Sequence, residues 1–379
     1  MGQEWHDSIQ ANSGSGSGSL AASNCTGGII SLNLDDLRFS DLLDFRNLHD
    51  YVNSRTMEDK PTYVFIDEIQ NCHDYEKAIS SLFLKTNLDI YLTGSNAHIL
   101  SGESATRLSG RYVKIDMLPL SFREYGEIVK ITDKRERFLQ FMNMGSFPYA
   151  AHIADDDMAS GQYLEGVYNT VLVKDILDRK SISDATLLKS VANFLAHNVG
   201  SPVTANRIAS TLAGKGRPTS PATIGTYLEA LSDSYLFYKV DRYDIKGKAH
   251  LKTENKYYIC DTGLRNMMLN AFNKDIGHQI ENLVFLELLR RGYRVNVGRA
   301  GRGTEIDFLA VRNRGTEYYQ VSASVLDHDV LERELAPLRT VKDNYPKFLL
   351  TLDDFFSDHD GIRQLNLIDW LTGAGTGQG

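Results

Sequence analysis

Two carboxylates that close an apolar run are the first residues of this chain with a clear chemical use. Tyr63-Val-Phe-Ile-Asp67-Glu68 reads as a buried strand stopping on an acidic pair. At the carboxyl end of a strand, Asp67 can hold a Mg2+ ion through its water shell. Glu68 can polarise a water for attack on phosphorus. A strand that merely stops at an acidic turn would look the same. Asp89-Ile-Tyr-Leu-Thr93-Gly94-Ser95-Asn96 is a second apolar strand capped by small polar residues. It would set Asn96 beside the second carboxylate, where an amide can hold water and sense a terminal phosphate. The plainer alternative is a strand-to-helix turn with an N-cap. Arg107 and Arg111 flank Leu-Ser-Gly110, and a guanidinium there could contact a phosphate held by a neighbouring subunit.

Triphosphate binding needs one more part. In G-x-x-x-x-G-K-[ST] a Gly-rich backbone cradles the phosphates, Lys neutralises them and Ser/Thr binds Mg2+. No such motif occurs in the 379 residues. The stretch ahead of Ile29 is the Gly/Ser/Ala tract ANSGSGSGSLAASNCTGG, and no Lys or Arg precedes Arg38. A bare Gly repeat is a linker. The expectation is weak triphosphate affinity and no useful turnover.

These residues need elements to position them. Ile29–Leu34, Tyr63–Ile66, Ile90–Thr93 and Tyr112–Met117 read as strands. Between them Phe39–Arg55 and Asp74–Thr86 carry apolar residues at helical spacing. That alternation implies a parallel sheet with helices on its faces. Residues 130–185 read as helical, with a break at Gly145-Ser-Phe-Pro148. Residues 187–250 read as three helices followed by a β-hairpin, the pattern of a winged helix-turn-helix. Over 185–250 there are eight basic residues (Lys189, Arg207, Lys215, Arg217, Lys239, Arg242, Lys246, Lys248) against four acids, which suits phosphate contacts from DNA. The candidate recognition helix from Pro221 offers only Thr223, Thr226 and Tyr227 to read bases, so a structural or protein-contact role stays open. After it come the helix Gln279–Arg291, three strands, the helix Asp329–Val341 and the strand Lys347–Thr351.

The expected organisation is α/β and multidomain. Residues 1–28 are low-complexity, expected to be disordered or non-native, and 29–126 form a truncated ATPase-type core, half of a three-layer sandwich. Residues 127–186 form a helical lid or connector, 187–262 the winged helix and 263–371 a last α/β domain. Residues 372–379 form a flexible tail.

Composition bounds the rest. Hydrophobic content of 42% and charged content of 24% are those of a globular protein. No apolar run reaches transmembrane length, so no membrane contact is expected. The N-terminus has no secretory pattern. Cys25, Cys72 and Cys260 lack metal or redox spacing and suit a reducing, cytoplasmic setting. A net charge of −8 gives no global attraction to nucleic acid.

In this order YVFIDEIQ, YLTGSNAHILSGESATRLSGRY and MLPLSFREY resemble the prokaryotic AAA-type ATPases, which couple such a core to a winged helix and a C-terminal domain of unknown function. The resemblance continues through YDIKGKAHLKTENKYYICDTGLRN, QIENLVFLELLRRGY and DNYPKFLLTLD, from about Ile29 to Leu371. It implies a partial P-loop NTPase fold that uses ATP and Mg2+, with Asp67, Glu68 and Asn96 as the surviving catalytic side. The alternative is a DNA- or protein-binding module for which the ATPase core is a scaffold; a homo-oligomer is also compatible.

The last domain resembles restriction endonucleases in layout, E…D…[DE]-x-K. Glu281 lies on a helix, Asp307 lies in Glu305-Ile-Asp-Phe308, and Gln320-Val-Ser322 ends the next strand. That chemistry needs two carboxylates for Mg2+ and a lysine to activate water. Gln320 stands in the place of the second carboxylate and Ser322 in the place of the lysine. The implication is a nuclease-like fold without its chemistry, with residual metal binding through Glu281 and Asp307 left open.

Overall fold

The computed structural model describes residues 28–94, 108, 110–177, 182, 184–270, 275–301, 304–313 and 315–373. The Gly/Ser-rich front through residue 27, Asn96, Arg107 and residues 374–379 lie outside them. The chain divides into two compact units, one ending at Ile115 and one beginning at Asp116.

In the first unit β1 (Gly28–Asn33), β2 (Thr62–Asp67) and β3 (Leu88–Leu92) form a parallel sheet in the order β1-β2-β3. Helix α1 (Phe45–Arg55) follows β1 and α2 (Tyr75–Leu82) follows β2. The continuous helix expected over Phe39–Arg55 is broken at Asp44. The Asp44 carboxylate instead accepts the Arg46 N–H at 2.9 Å and starts α1. Ile30, Leu32, Val64, Ile66, Ile90 and Leu92 pack against Leu48, Val52, Ala78, Ile79 and Leu82 of the two helices.

Among the described residues this gives two layers, a sheet with helices on one face, where half of a three-layer sandwich was expected. Right-handed crossovers that step in one direction along the sheet put both helices on one face. On the other face Ile29 and Tyr91 are exposed, and Phe65 stacks on Tyr91 with ring centroids 4.8 Å apart. The fourth strand expected at Tyr112–Met117 does not form: the segment pairs with no strand, and Val113, Ile115 and Met117 are exposed.

The second unit opens with α3 (Phe122–Ile128), α4 (Lys134–Met144), α5 (Pro148–His152), α6 (Asp157–Thr170) and a wide turn at Val171–Leu177. Helices α7 (Ala185–His197), α8 (Ala205–Gly214) and α9 (Pro221–Asp233) follow, then the hairpin β4 (Phe237–Asp244) and β5 (Ala249–Ile259). Next come α10 (Thr262–Leu269), α11 (Ile276–Arg290), β6 (Arg294–Gly301), β7 (Thr304–Arg312) and β8 (Gly315–Val321). The chain then runs through α12 (His328–Arg339), β9 (Lys347–Thr351), β10 (Ser357–His359), β11 (Ile362–Asn366) and α13 (Leu367–Leu371).

The strands make one mixed sheet, β10-β11-β9-β8-β7-β6-β4-β5. Helix α11 packs on one face through Ile280 and Val284, and α12 on the other through Leu335 and Leu338. The hairpin expected as a separate wing is part of this sheet, because β4 pairs in parallel with β6 (Arg242 opposite Val297). The blocks expected at 187–262 and 263–371 therefore share strands and core. Phe122 and Tyr125 lie in that same core, so the second compact unit takes in 116–126.

Asp261-Thr-Gly-Leu-Arg-Asn266 holds this unit together. The fully buried Asp261 carboxylate accepts from the Ser146 N–H at 2.5 Å, the Ser146 hydroxyl at 2.7 Å and the Leu264 N–H at 2.7 Å. Gly263 lets α10 touch the end of α4: a Cβ there would fall 2.4 Å from the Met144 carbonyl oxygen. Gly145 has φ +88°, and its Cβ would fall 2.3 Å from Asp261. Arg265 donates to the Ala196 carbonyl at 2.8 Å, and Asn266 to the Met142 carbonyl at 3.1 Å. One short helix thus ties α4 and α7 together. Gly263→Ala should cost about 1–3 kcal/mol from the forced backbone shift. Asp261→Ala should cost at least as much, since it strands buried donors at about 1–3 kcal/mol each. Urea unfolding monitored by circular dichroism measures both, and a Gly263→Ala midpoint equal to wild type would refute the lock.

Candidate functional site

Asp67 ends β2 directly opposite Asn33 of β1. Thr93, just past β3, fixes it from both sides: the Thr93 N–H donates to the Ile66 carbonyl at 2.9 Å, and its carbonyl accepts the Ile69 N–H at 3.2 Å. The Thr93 hydroxyl donates to Asp67 Oδ1. Asp67 Oδ2 is buried and has no hydrogen-bond partner among the described residues. An orphaned carboxylate oxygen is costly unless something completes it. An oxygen so placed, at the carboxyl ends of parallel strands, fits a hydrated cation. Glu68 follows in the left-handed region (φ +54°), an uncommon backbone for a side chain of its size, and accepts from the Gln70 amide.

Sequence reasoning treated Thr93 only as a turn residue and passed over Gln70. The signal for Thr93 was its register, one residue beyond β3 on the sheet edge that carries Asp67. Arg111, a candidate phosphate contact, is exposed and lies 5.7 Å from the centre of the Phe83 ring.

The second constellation does converge, around a cation that the sequence reading passed over. Lys256 of β5 is buried, and its ammonium lies 3.2 Å from Glu281 Oε1 on α11 and 2.8 Å from Glu305 Oε1 on β7. Tyr258 donates to the same Glu281 oxygen at 2.6 Å, and His278 Nδ1 lies 3.8 Å from Glu281 Oε2. Asp307 Oδ2 accepts the Val321 N–H at 2.9 Å, and the Asp307 N–H donates to Gln320 Oε1 at 3.3 Å. Gln320 passes the chain on, donating to Glu334 at 2.9 Å. Ser322 has another partner: its hydroxyl donates to the Ser324 carbonyl at 3.1 Å.

The charges in this cluster are unequal. Burial alone would raise the Glu281 carboxyl, but Lys256, His278 and Tyr258 outweigh it and hold Glu281 below the usual range. Asp307 goes the other way: burial, reinforced by the Glu281 charge, pushes it well up despite Lys256. Burial would strip Lys256 of its proton, yet the three carboxylates raise its affinity for it. A lysine on an inward position of an aromatic strand, in Lys256-Tyr-Tyr258, was the signal in the sequence.

The three-helix region is less suited to bases than its charge suggested. Tyr227 is buried, Thr223 is engaged in capping α9 with Ser220, and the Thr226 hydroxyl back-bonds to Ala222. Of the eight basic residues, Arg242 is committed to Glu254 and Glu305. No helix among the described residues is long and apolar enough to cross a membrane.

The chain has relatives. A family model described as an AAA domain matches residues 19–126, and a domain of unknown function, DUF8612, matches 135–275. An uncharacterized protein of Haemophilus influenzae is 37% identical over 350 residues, spanning 90% of this chain and 86% of that protein. The chain belongs to the same family as that protein. In this family member an AAA-type, ATPase-like domain precedes a domain of unknown function. An uncharacterized protein of Methanocaldococcus jannaschii is 31% identical over 298 residues, covering 74% of this chain and 65% of its own. A solved structure, the Walker-type ATPase of Pyrococcus abyssi, is similar with a TM-score of 0.41 and 17% identity, covering 59% of this chain and 67% of that one.

The buried cluster of this family member makes a pH-dependent prediction. Glu281, depressed in the folded state, contributes stability that is present above its ordinary value of 4.5 and lost as pH falls below it. Asp307, raised, favours its proton and loses stability as pH rises through its folded value. At pH 7 Glu281→Gln should therefore cost about 3–5 kcal/mol, as for breaking a buried pair, whereas Asp307→Asn, which removes the penalty of the raised carboxyl, should cost nothing and stabilise the fold. Denaturant melts at pH 7 and pH 4 test this. Equal costs for the two variants at pH 7, or a Glu281→Gln cost that does not shrink at pH 4, would contradict the charge assignment.

Proposed function

We propose that this chain is an AAA-type ATPase family protein that keeps the metal and water side of a nucleotide site but is impaired in ATP hydrolysis. The observation that carries the reading is Asp67: Oδ1 is held by Thr93 and Oδ2 is buried, partnerless, at the carboxyl ends of three parallel strands. In this reading Asp67 would hold Mg2+ through water, Glu68 would polarise the attacking water, and Asn96 would stand beside it. Mg2+ supplies the charge that neutralises the phosphates. The impairment follows from the sequence. No G-x-x-x-x-G-K-[ST] run occurs in this chain, so no backbone nest or lysine of its own meets the β- and γ-phosphates. Arg107 and Arg111 are the remaining phosphate contacts, offered to a neighbouring subunit. That role would require Arg111 to leave Phe83.

The second unit is read as a winged-helix-like region, its hairpin built into a nuclease-like sheet, that serves for binding rather than cutting. Seven of the basic residues, Lys189, Arg207, Lys215, Arg217, Lys239, Lys246 and Lys248, are exposed. They support contacts with DNA phosphates that do not depend on sequence.

Calorimetry with ATP and Mg2+ tests the reading, on this chain and on one with a Gly-x-x-x-x-Gly-Lys-Thr loop in place of residues 11–28. Binding by the second chain alone, lost again in Asp67→Asn, is the expected outcome. Micromolar binding by the present chain would overturn the impairment. No binding by either would overturn the ATPase reading and favour the scaffold alternative.

A further inference from the structure

The buried cluster of the second unit bears on cation chemistry independently of the nucleotide site. Three elements bring it together: β5 supplies Lys256, α11 supplies Glu281, and β7 supplies Glu305 and Asp307. The ammonium lies within 3.2 Å of one carboxylate and 2.8 Å of another, and Asp307 adds its field. Only 4% of the lysine side chain is exposed, against 11% for Glu281. Such a centre, a compact positive charge ringed by carboxylate oxygens, has the donor set that hard divalent cations take.

We propose that the Lys256 ammonium stands where a divalent cation would otherwise sit, so that the chain carries its own counter-ion and the cluster excludes metal. The acidic residues alone would not support this; the buried lysine at ion-pair distance from two of them does. The outer partners are also arranged for a fixed occupant. Tyr258 shares the Glu281 oxygen that Lys256 touches, and Arg242 flanks Glu305 at 3.5 Å, so the oxygens facing the lysine are oriented from behind. Removing the side chain leaves carboxylates in a low-dielectric site with one positive charge fewer. They must then take up protons or a cation from solution.

The test uses Lys256→Met, a long apolar replacement without the charge, in an Asp67→Asn background that silences the other acidic site. Mn2+ is the probe, followed by calorimetry and by its paramagnetic resonance signal. The expected result is one Mn2+ bound at least about tenfold more tightly than by Asp67→Asn alone, with the gain lost when Asp307→Asn is added. If Lys256→Met is unfolded in chelator, recovery of a cooperative melt as Mn2+ is added supports the same conclusion. Three results would overturn the proposal. The first is a folded Lys256→Met chain with no gain. The second is one that stays unfolded at every Mn2+ concentration. The third is Asp307-dependent Mn2+ binding while Lys256 is still in place.

Discussion

The second unit depends on one buried carboxylate meeting two glycines. Asp261 cannot be buried without donors, and its donors come from the Gly145–Ser146 turn more than a hundred residues earlier. That turn can approach only because Gly145 takes a positive φ and Gly263 has no side chain. Once made, the contact fixes the start of α10, and α10 fixes α4 through Asn266 and α7 through Arg265. The same strand-to-helix junction orders β5 immediately before it, where the Ile259 N–H is held by Asn282 of α11 at 2.8 Å. The hairpin, the helices and the sheet therefore share one joint. The Lys256–Glu281 pair lies three residues from that joint on β5 and one residue from Asn282 on α11.

The joint explains why the wing is no separate module. A hairpin that ends in Asp261 and pairs edge-on with β6 cannot swing free of the sheet, since β4 would have to surrender its register with Val297–Arg299. Arg242, which its position on the wing offered to DNA, is instead turned to Glu254 and Glu305. Charge that looks available along a sequence is spent locally once strands bring acids beside it. The seven other basic residues remain exposed, although Lys239 lies 3.6 Å from Asp241 and Arg207 donates to the Pro202 carbonyl at 3.2 Å.

The legible parts of the sequence were those with a local cause. Short apolar runs located β1 to β3, and the helical spacing of Leu48, Val52, Ala78, Ile79 and Leu82 located the helices that cover them. Asp67 was legible because a carboxylate after an apolar run is itself the signal. What was missed had non-local causes. Tyr112–Met117 has the alternation of a strand, but alternation says nothing about whether a partner strand is at hand. That both helices fall on one face follows from crossover handedness, which depends on strand order and cannot be read from residues. The short elements β10, β11 and α13 pack onto an edge already built by β9, so their local pattern is weak. Asp261-Thr-Gly-Leu-Arg-Asn266 was recognisable as a motif, yet each residue's role required the distant backbone it meets.

Lys256 shows the same limit in chemistry. A search along the strand of Gln320 for a basic residue ends at Ser322, whose hydroxyl only bonds a neighbouring carbonyl. The cation arrives from β5, a strand contributed by the preceding hairpin, and no spacing rule within β7 and β8 could supply it. The two acidic sites of the chain are thus opposites. At Asp67 a carboxylate oxygen is buried without a partner and the sequence provides no lysine loop to complete a phosphate site. At Glu281 the chain provides the lysine itself, and with Tyr258 it occupies the oxygen that a metal would need. An incomplete shell is open to a ligand from solution, whereas a completed one stabilises the fold. On that physical ground the proposed nucleotide role belongs to the first site, and the second works as structure.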